Sequence, residues 1–218
     1  MKKGLFLILT ALTSVFIPEI NYGQATAPNL GASAQFGVFT SAGAITNVGL
    51  TEITGDLGIG TAGAITGFPP GTVSGQIREG VLLGDAIALQ AATDVCDAHA
   101  QLQTPGCDTT VFLVGGGQVI TPGVTCVGAA SVITGDLILD AQGDPDAVFI
   151  FNINGVLNTA LDSRIILTGG AHLECNVFFG VTGAVNLGIN SLFQGTLLAG
   201  GGAVSLGSGA TLNGRALV

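Results

Sequence analysis

The sequence predicts a mainly β protein, a β-solenoid (β-helix) of three-faced coils with one long α-helix packed along one face. Three observations carry this expectation: short strand phrases that recur in a fixed order, a high glycine content, and one stretch, 85–103, free of both glycine and proline. Glycine fills 36 of 218 positions without a collagen period, while 48% of residues are hydrophobic, so the glycine does not mark a disordered tract. Glycine suits the corners of coils, where φ turns positive or where a Cβ would strike the neighbouring coil.

The first phrase reads Gly-Ala-Ile-Thr at Gly43–Thr46 and at Gly63–Thr66. It returns as Gly-Val-Leu-Asn at 155–158, Gly-Ala-Val-Asn at 183–186 and Gly-Ala-Val-Ser at 202–205. In a strand, successive side chains alternate sides. The aliphatics Ile45, Ile65, Leu157, Val185 and Val204 are therefore expected inside. Thr46, Thr66, Asn158, Asn186 and Ser205 are expected outside, together with Ala44, Ala64, Val156, Ala184 and Ala203. That makes a column of small, uncharged side chains on one surface.

A second phrase ends in a short polar residue and glycine, and predicts a second outward column of Thr54, Thr134, Thr168, Gln194 and Asn213. The third and most apolar phrase reads Val148-Phe149-Ile150-Phe151, Val177-Phe178-Phe179 and Thr196-Leu197-Leu198. Hydrophobic residues run consecutively there, as in a strand covered on both sides. Three strand types per cycle describe a three-faced coil, and Gly183 to Gly202 gives a cycle of about nineteen residues, within the range of β-solenoid repeats.

The long helix is expected over about 85–103. Asp85 is its N-cap, Leu89, Ala92, Cys96 and Ala100 share one side, and Thr104-Pro105-Gly106 ends it. Its apolar side needs cover, and the third phrase supplies it.

At the N-terminus, Lys2 and Lys3 precede an apolar run from Leu5 to Ile17, broken by Pro18 and Glu19, with small residues at Gly23, Ala25 and Ala27. This reads as a secretory signal peptide over 1–25, with a single domain over 26–218 and a secreted, extracellular product. Beyond it the basic side chains are Arg78, Arg164 and Arg215. Charged residues make up 9% of the chain and the formal net charge is −9, which excludes a basic nucleic-acid footprint and a polybasic membrane patch. Export makes the four cysteines readable as two disulfides, with three pairings open. The spacing favours Cys96–Cys107, closing the helix end, and Cys126–Cys175, joining distant strands.

No constellation points to catalysis, a cofactor or a metal. The carboxylates are scattered on turns rather than clustered. His99 falls within the helix and His172 in a turn beside Glu174. Asp140, Asp144 and Asp146 sit in a turn rich in Asp, Gly and Pro that lacks the spacing of a calcium loop.

Ordered along the chain, Asn29-Leu30-Gly31, Ile53-Thr54-Gly55-Asp56-Leu57-Gly58, Ile65-Thr66-Gly67-Phe68, Thr121-Pro122-Gly123-Val124, Leu139-Asp140-Ala141-Gln142-Gly143, Ala147-Val148-Phe149-Ile150-Phe151, Leu167-Thr168-Gly169-Gly170-Ala171, Asn176-Val177-Phe178 and Leu212-Asn213-Gly214-Arg215-Ala216-Leu217 resemble the secreted microbial ice-binding proteins. That family is a discontinuous right-handed β-solenoid with a flanking long helix, and it usually continues past the last of these phrases into a further strand. The resemblance implies that this chain adsorbs to an ice crystal surface, as a monomer and without cofactor, through a flat face that the helix leaves open. It places Thr46, Thr66 and Ser131 on that face, and the column adds the rest. The alternative is a secreted adhesive or structural solenoid module that binds a cell-surface protein or glycan. Beyond the leader the chain has neither Trp nor Tyr to serve as a sugar platform.

Overall fold

Short strands punctuated by glycine cannot bury a core within one coil, so each coil stacks on the next and pairs with it in parallel. The computed structural model describes residues 25–170 and 173–218. The leader expected over 1–25 lies outside the described residues except for Ala25, and so does His172. Among the described residues every strand pair is parallel.

The strands form three faces. The helix-side face runs Ile77–Glu79, Asp56–Ile59, Phe36–Thr40, Thr211–Leu217, Leu192–Ala199, Val177–Val181, Phe149–Ile153, Gly123–Val127 and Thr109–Val111. The stacking order is not the chain order, because the last strand pairs with the first, Val38 opposite Ala216 and Phe39 opposite Leu217. A second face, called the outer face below, is built from Val204–Leu206, Val185–Leu187, Leu157–Thr159, Ser131–Thr134 and Val114–Gly115, with Gly43–Thr46 and Gly63–Thr66 as a separate pair. The third face holds Gln118–Ile120, Asp136–Asp140 and Arg164–Thr168, continued by the first halves of Leu192–Ala199 and Thr211–Leu217.

Those two long strands turn from the third face onto the helix-side face at glycines that lie opposite each other, Gly195 (φ 124°) and Gly214 (φ 150°). A Cβ at Gly214 would collide with the Gly195 carbonyl, so this corner admits nothing larger. The phrases that end Gln-Gly and Asn-Gly therefore encode a corner.

The helix forms over Ala86–Gln103, and the Asp85 side chain accepts hydrogen bonds from the Ile87 and Ala88 amides, as expected of an N-cap. It packs on the third phrase, where Ile150, Phe178 and Leu198 share a buried cluster with it, and Phe149, Phe151 and Phe179 fill the solenoid interior. The buried side differs from the expected one. Ala88, Ala91, Val95, Ala98 and Leu102 face the sheet, while Leu89 and Cys96 are exposed, a rotation of about one residue, or roughly 100°. Small alanines let the helix approach the strands closely. The bulkier Leu89 instead lies over Gly80, and His99 reaches across Gly200 to the Val181 carbonyl at 3.2 Å.

The cysteines also pair differently. Cys107 is bonded to Cys126, with their Cα atoms 5.6 Å apart, and Cys96 and Cys175 are free and exposed, so neither expected bridge forms. After the helix the chain enters the sheet as Thr109–Val111, directly beside Gly123–Val127. Two hydrogen bonds between Asp108 and Val124, at 2.9 and 2.8 Å, hold this entry and bring Cys107 against Cys126. Cys96 is on the solvent side of the helix.

Candidate functional site

The outer face is the one surface on which the first phrase lies in register. Asn158 is opposite Asn186, and Asn186 opposite Ser205. Ala44 is opposite Ala64, and Thr46 opposite Thr66. The expected alternation holds at these strands. Leu157 and Val185 are completely buried, Ile45, Ile65 and Val204 are partly buried, and Thr46, Thr66, Asn186 and Ser205 are exposed. Asn158, Val156 and Ala184 are half-buried, and Ala44, Ala64 and Ala203 are exposed. At Gly63, Gly155, Gly183 and Gly202 the phrase opens on a glycine where the coils touch: a Cβ at Gly183 would lie 2.8 Å from the Gly155 carbonyl group; Gly43 has open space around it and a φ of 105° instead.

Ser131 does not belong to this surface. It is 1% exposed and opposite Leu157 in the interior row, whereas Val132, 38% exposed, is opposite Asn158. The column is therefore Val132, Asn158, Asn186 and Ser205. Beside it, Ala130 joins Val156, Ala184 and Ala203 through a backbone bond from the Ser131 amide to the Val156 carbonyl. Strict alternation within Ser131-Val132-Ile133-Thr134 was the signal for this, since Ile133 had to be inside and Ser131 is two residues before it.

The polar members of the column are joined to one another, which the sequence reading missed. The Asn186 amide nitrogen donates to Asn158 Oδ1 at 2.8 Å, and Ser205 Oγ donates to Asn186 Oδ1 at 2.7 Å. Thr66 Oγ1 and Thr46 Oγ1 are 3.4 Å apart. No charged residue occurs in either outward row.

The second expected column does not exist as one surface. Thr134 ends an outer-face strand, Thr168 ends a third-face strand opposite Asp140, and only Gln194 and Asn213 are paired. The third face carries charge, with Arg164 and Asp136 bonded at 3.2 Å. In the acidic turn, Asp140 and Asp144 each accept a backbone N–H two residues on, from Gln142 and Asp146, both at 2.9 Å, so these carboxylates build the turn.

One charged group ties the helix to the coils. Arg78 bonds Asp56 at 2.5 Å and Asp85 at 3.0 Å. Burial works to raise the Asp85 pKa, but the Ala88 amide, Arg78 and the Ile87 amide together outweigh it and hold the carboxyl below its ordinary value.

A discontinuous parallel β-solenoid with a helix on one face and a flat, uncharged, register-matched surface on another defines a recognisable class of protein. The chain belongs to the Ice-binding-like family, which it matches over residues 39–218. An ice-binding protein of Nostoc sp. (strain HG1) is 36% identical over 200 residues, covering 91% of this chain and 70% of the relative. Ice-binding protein K3-B1 of Typhula ishikariensis is 31% identical over 213 residues, covering 88% of this chain and 84% of the relative. The crystal structure of an ice-binding protein from the Antarctic ascomycete Antarctomyces psychrotrophicus matches with a TM-score of 0.78 at 32% identity, over 88% of this chain and 91% of that one.

Proposed function

We propose that this protein adsorbs to ice through its outer face and so slows ice growth and recrystallisation. The observation that carries the reading is the uncharged, register-matched pair of outward rows, Val132, Asn158, Asn186, Ser205 and Ala130, Val156, Ala184, Ala203, with Ala44, Thr46, Ala64 and Thr66 on the separate strand pair. Parallel strands about 4.8 Å apart, with like-facing residues about 6.7 Å apart along each strand, give a rigid two-dimensional grid. Threonine sets a methyl beside a hydroxyl, so it makes apolar contact and orders a water at once. Alanine and valine keep the surface flat. The absence of charge from these rows leaves no strongly hydrated ion to compete with an ice-like water layer.

Rigidity matters as much as chemistry. Immobilising one mobile side chain on binding costs about 0.5–1.5 kcal/mol. Side chains already held in place avoid that cost when they meet the crystal. The helix covers another face, so it does not obstruct the grid. The leader at 1–25 supports export of the protein to the medium where ice grows, and the reading needs one molecule per adsorbed footprint.

The test is ice growth in a nanolitre droplet of purified protein lacking the leader. Faceted crystals and a freezing point depressed below the melting point support the proposal. Round discs like those grown in serum albumin refute it.

A further inference from the structure

We infer that Asn186 is a positioning residue of the outer face, holding its two neighbours, Asn158 and Ser205, in the rotamers that the surface presents. The inference rests on the ice-adsorbing reading above and adds a mechanism to it.

The separate strand pair and the three stacked strands that carry the polar column meet the same need in different ways. Thr46 and Thr66 are β-branched, so their χ1 angles are stiff without help. Their hydroxyls, 3.4 Å apart, are at the outer edge of hydrogen bonding and constrain each other little. Asn158, Asn186 and Ser205 are unbranched at Cβ, and free in water they would sample several rotamers. Here they form a directional chain: Ser205 Oγ–H donates to Asn186 Oδ1, and the Asn186 amide donates to Asn158 Oδ1. Only Asn186 takes part in both bonds. Its own backbone is fixed from below, because the flanking Val185 and Leu187 are 0% and 2% exposed. The chain stops at Val132, whose side chain has no acceptor, so the Asn158 amide is left to donate outward. Hydrogen bonding thus supplies at Asn158, Asn186 and Ser205 the rigidity that branching supplies at Thr46 and Thr66.

Four variants test this: Asn186→Ala, the double variant Asn158→Ala with Ser205→Ala, the triple variant, and Asn186→Thr. Freezing hysteresis is measured for each, with a circular dichroism melt to confirm the fold. If Asn186 positions its neighbours, Asn186→Ala loses as much hysteresis as the double variant, and the triple variant loses no more than either. A role limited to stability would shift the melt and leave hysteresis near 0 °C unchanged. Asn186→Thr loses hysteresis as Asn186→Ala does, because branching at 186 stiffens only its own χ1 and leaves Asn158 and Ser205 unheld. Should Asn186→Ala fail to fold, the Asn186→Thr result decides alone. Losses that add side chain by side chain, or an Asn186→Thr that keeps wild-type hysteresis, would overturn the inference while leaving the ice reading intact. A wild-type protein without hysteresis would overturn both.

Discussion

Removing the Cys107–Cys126 bridge should weaken the fold without weakening the surface. The bridge closes a loop with a sequence separation of 19. Loop-closure entropy for about 20 residues gives a stabilisation of about 3 kcal/mol. For a domain of roughly 190 residues, each 1 kcal/mol moves the melting temperature by about 2–4 °C, so the shift should be near 6–12 °C. The bridge anchors the segment after the helix to Gly123–Val127 on the helix-side face. The strands that carry Asn158, Asn186, Ser205, Thr46 and Thr66 pair elsewhere. Calorimetry of the Cys107→Ala, Cys126→Ala double variant, beside wild type with and without reductant, measures the first effect. Hysteresis near 0 °C, far below the melt, measures the second. A melting temperature that moves by less than about 2 °C would refute the entropic argument for this loop. Hysteresis that falls while the fold persists would show that the outer face depends on the far side of the coil.

Four other outcomes are expected. Thr66→Tyr should abolish most ice activity with an unchanged melt, because a ring stands proud of a flat grid, while Thr168→Tyr, at the end of a charged face, should do far less; droplet measurements on both compare them. Phe179→Ala should cost about 3–5 kcal/mol by denaturant unfolding, since Phe179 is fully buried and packs on Phe151 and Phe193 at 4.6 and 4.7 Å. Asp85→Ala should remove about 1 kcal/mol through the lost cap alone. Because the Asp85 pKa is lowered on folding, its ionised form adds stability in full above the ordinary carboxylate value of 3.8, and that contribution is lost as pH falls through the folded value, so the variant and wild-type urea midpoints should converge in acid. Alkylation of the folded protein followed by peptide mapping should label Cys96 and Cys175 and spare Cys107 and Cys126; label on the latter pair would contradict the bridge.

The features legible in the sequence were those written by alternation and by glycine. Gly-Ala-Ile-Thr placed Ile45 and Ile65 inside and Thr46 and Thr66 outside because a period of two leaves no choice. The Asp85 cap and the breaker at Thr104-Pro105-Gly106 set the helix ends to within a residue. What failed depended on neighbours distant in sequence. The buried side of the helix could not be read from hydrophobicity, since alanine is only weakly apolar, and close approach favoured Ala88, Ala91 and Ala98 over Leu89. The bridge partner of Cys107 followed from where the chain re-enters the sheet, which no spacing encodes. The resemblance places Ser131 on the surface, whereas alternation against Ile133 puts it inside. The second column failed because like phrases, Val-Ile-Thr-Gly and Leu-Phe-Gln-Gly, end strands on two different faces.

The most direct test of the account is the shape of an ice crystal growing in the purified protein. Facets and a measurable gap between melting and freezing points are expected at micromolar concentration, both lost in Thr66→Tyr. Unshaped discs with no gap, from a protein whose circular dichroism shows the solenoid intact, would contradict it.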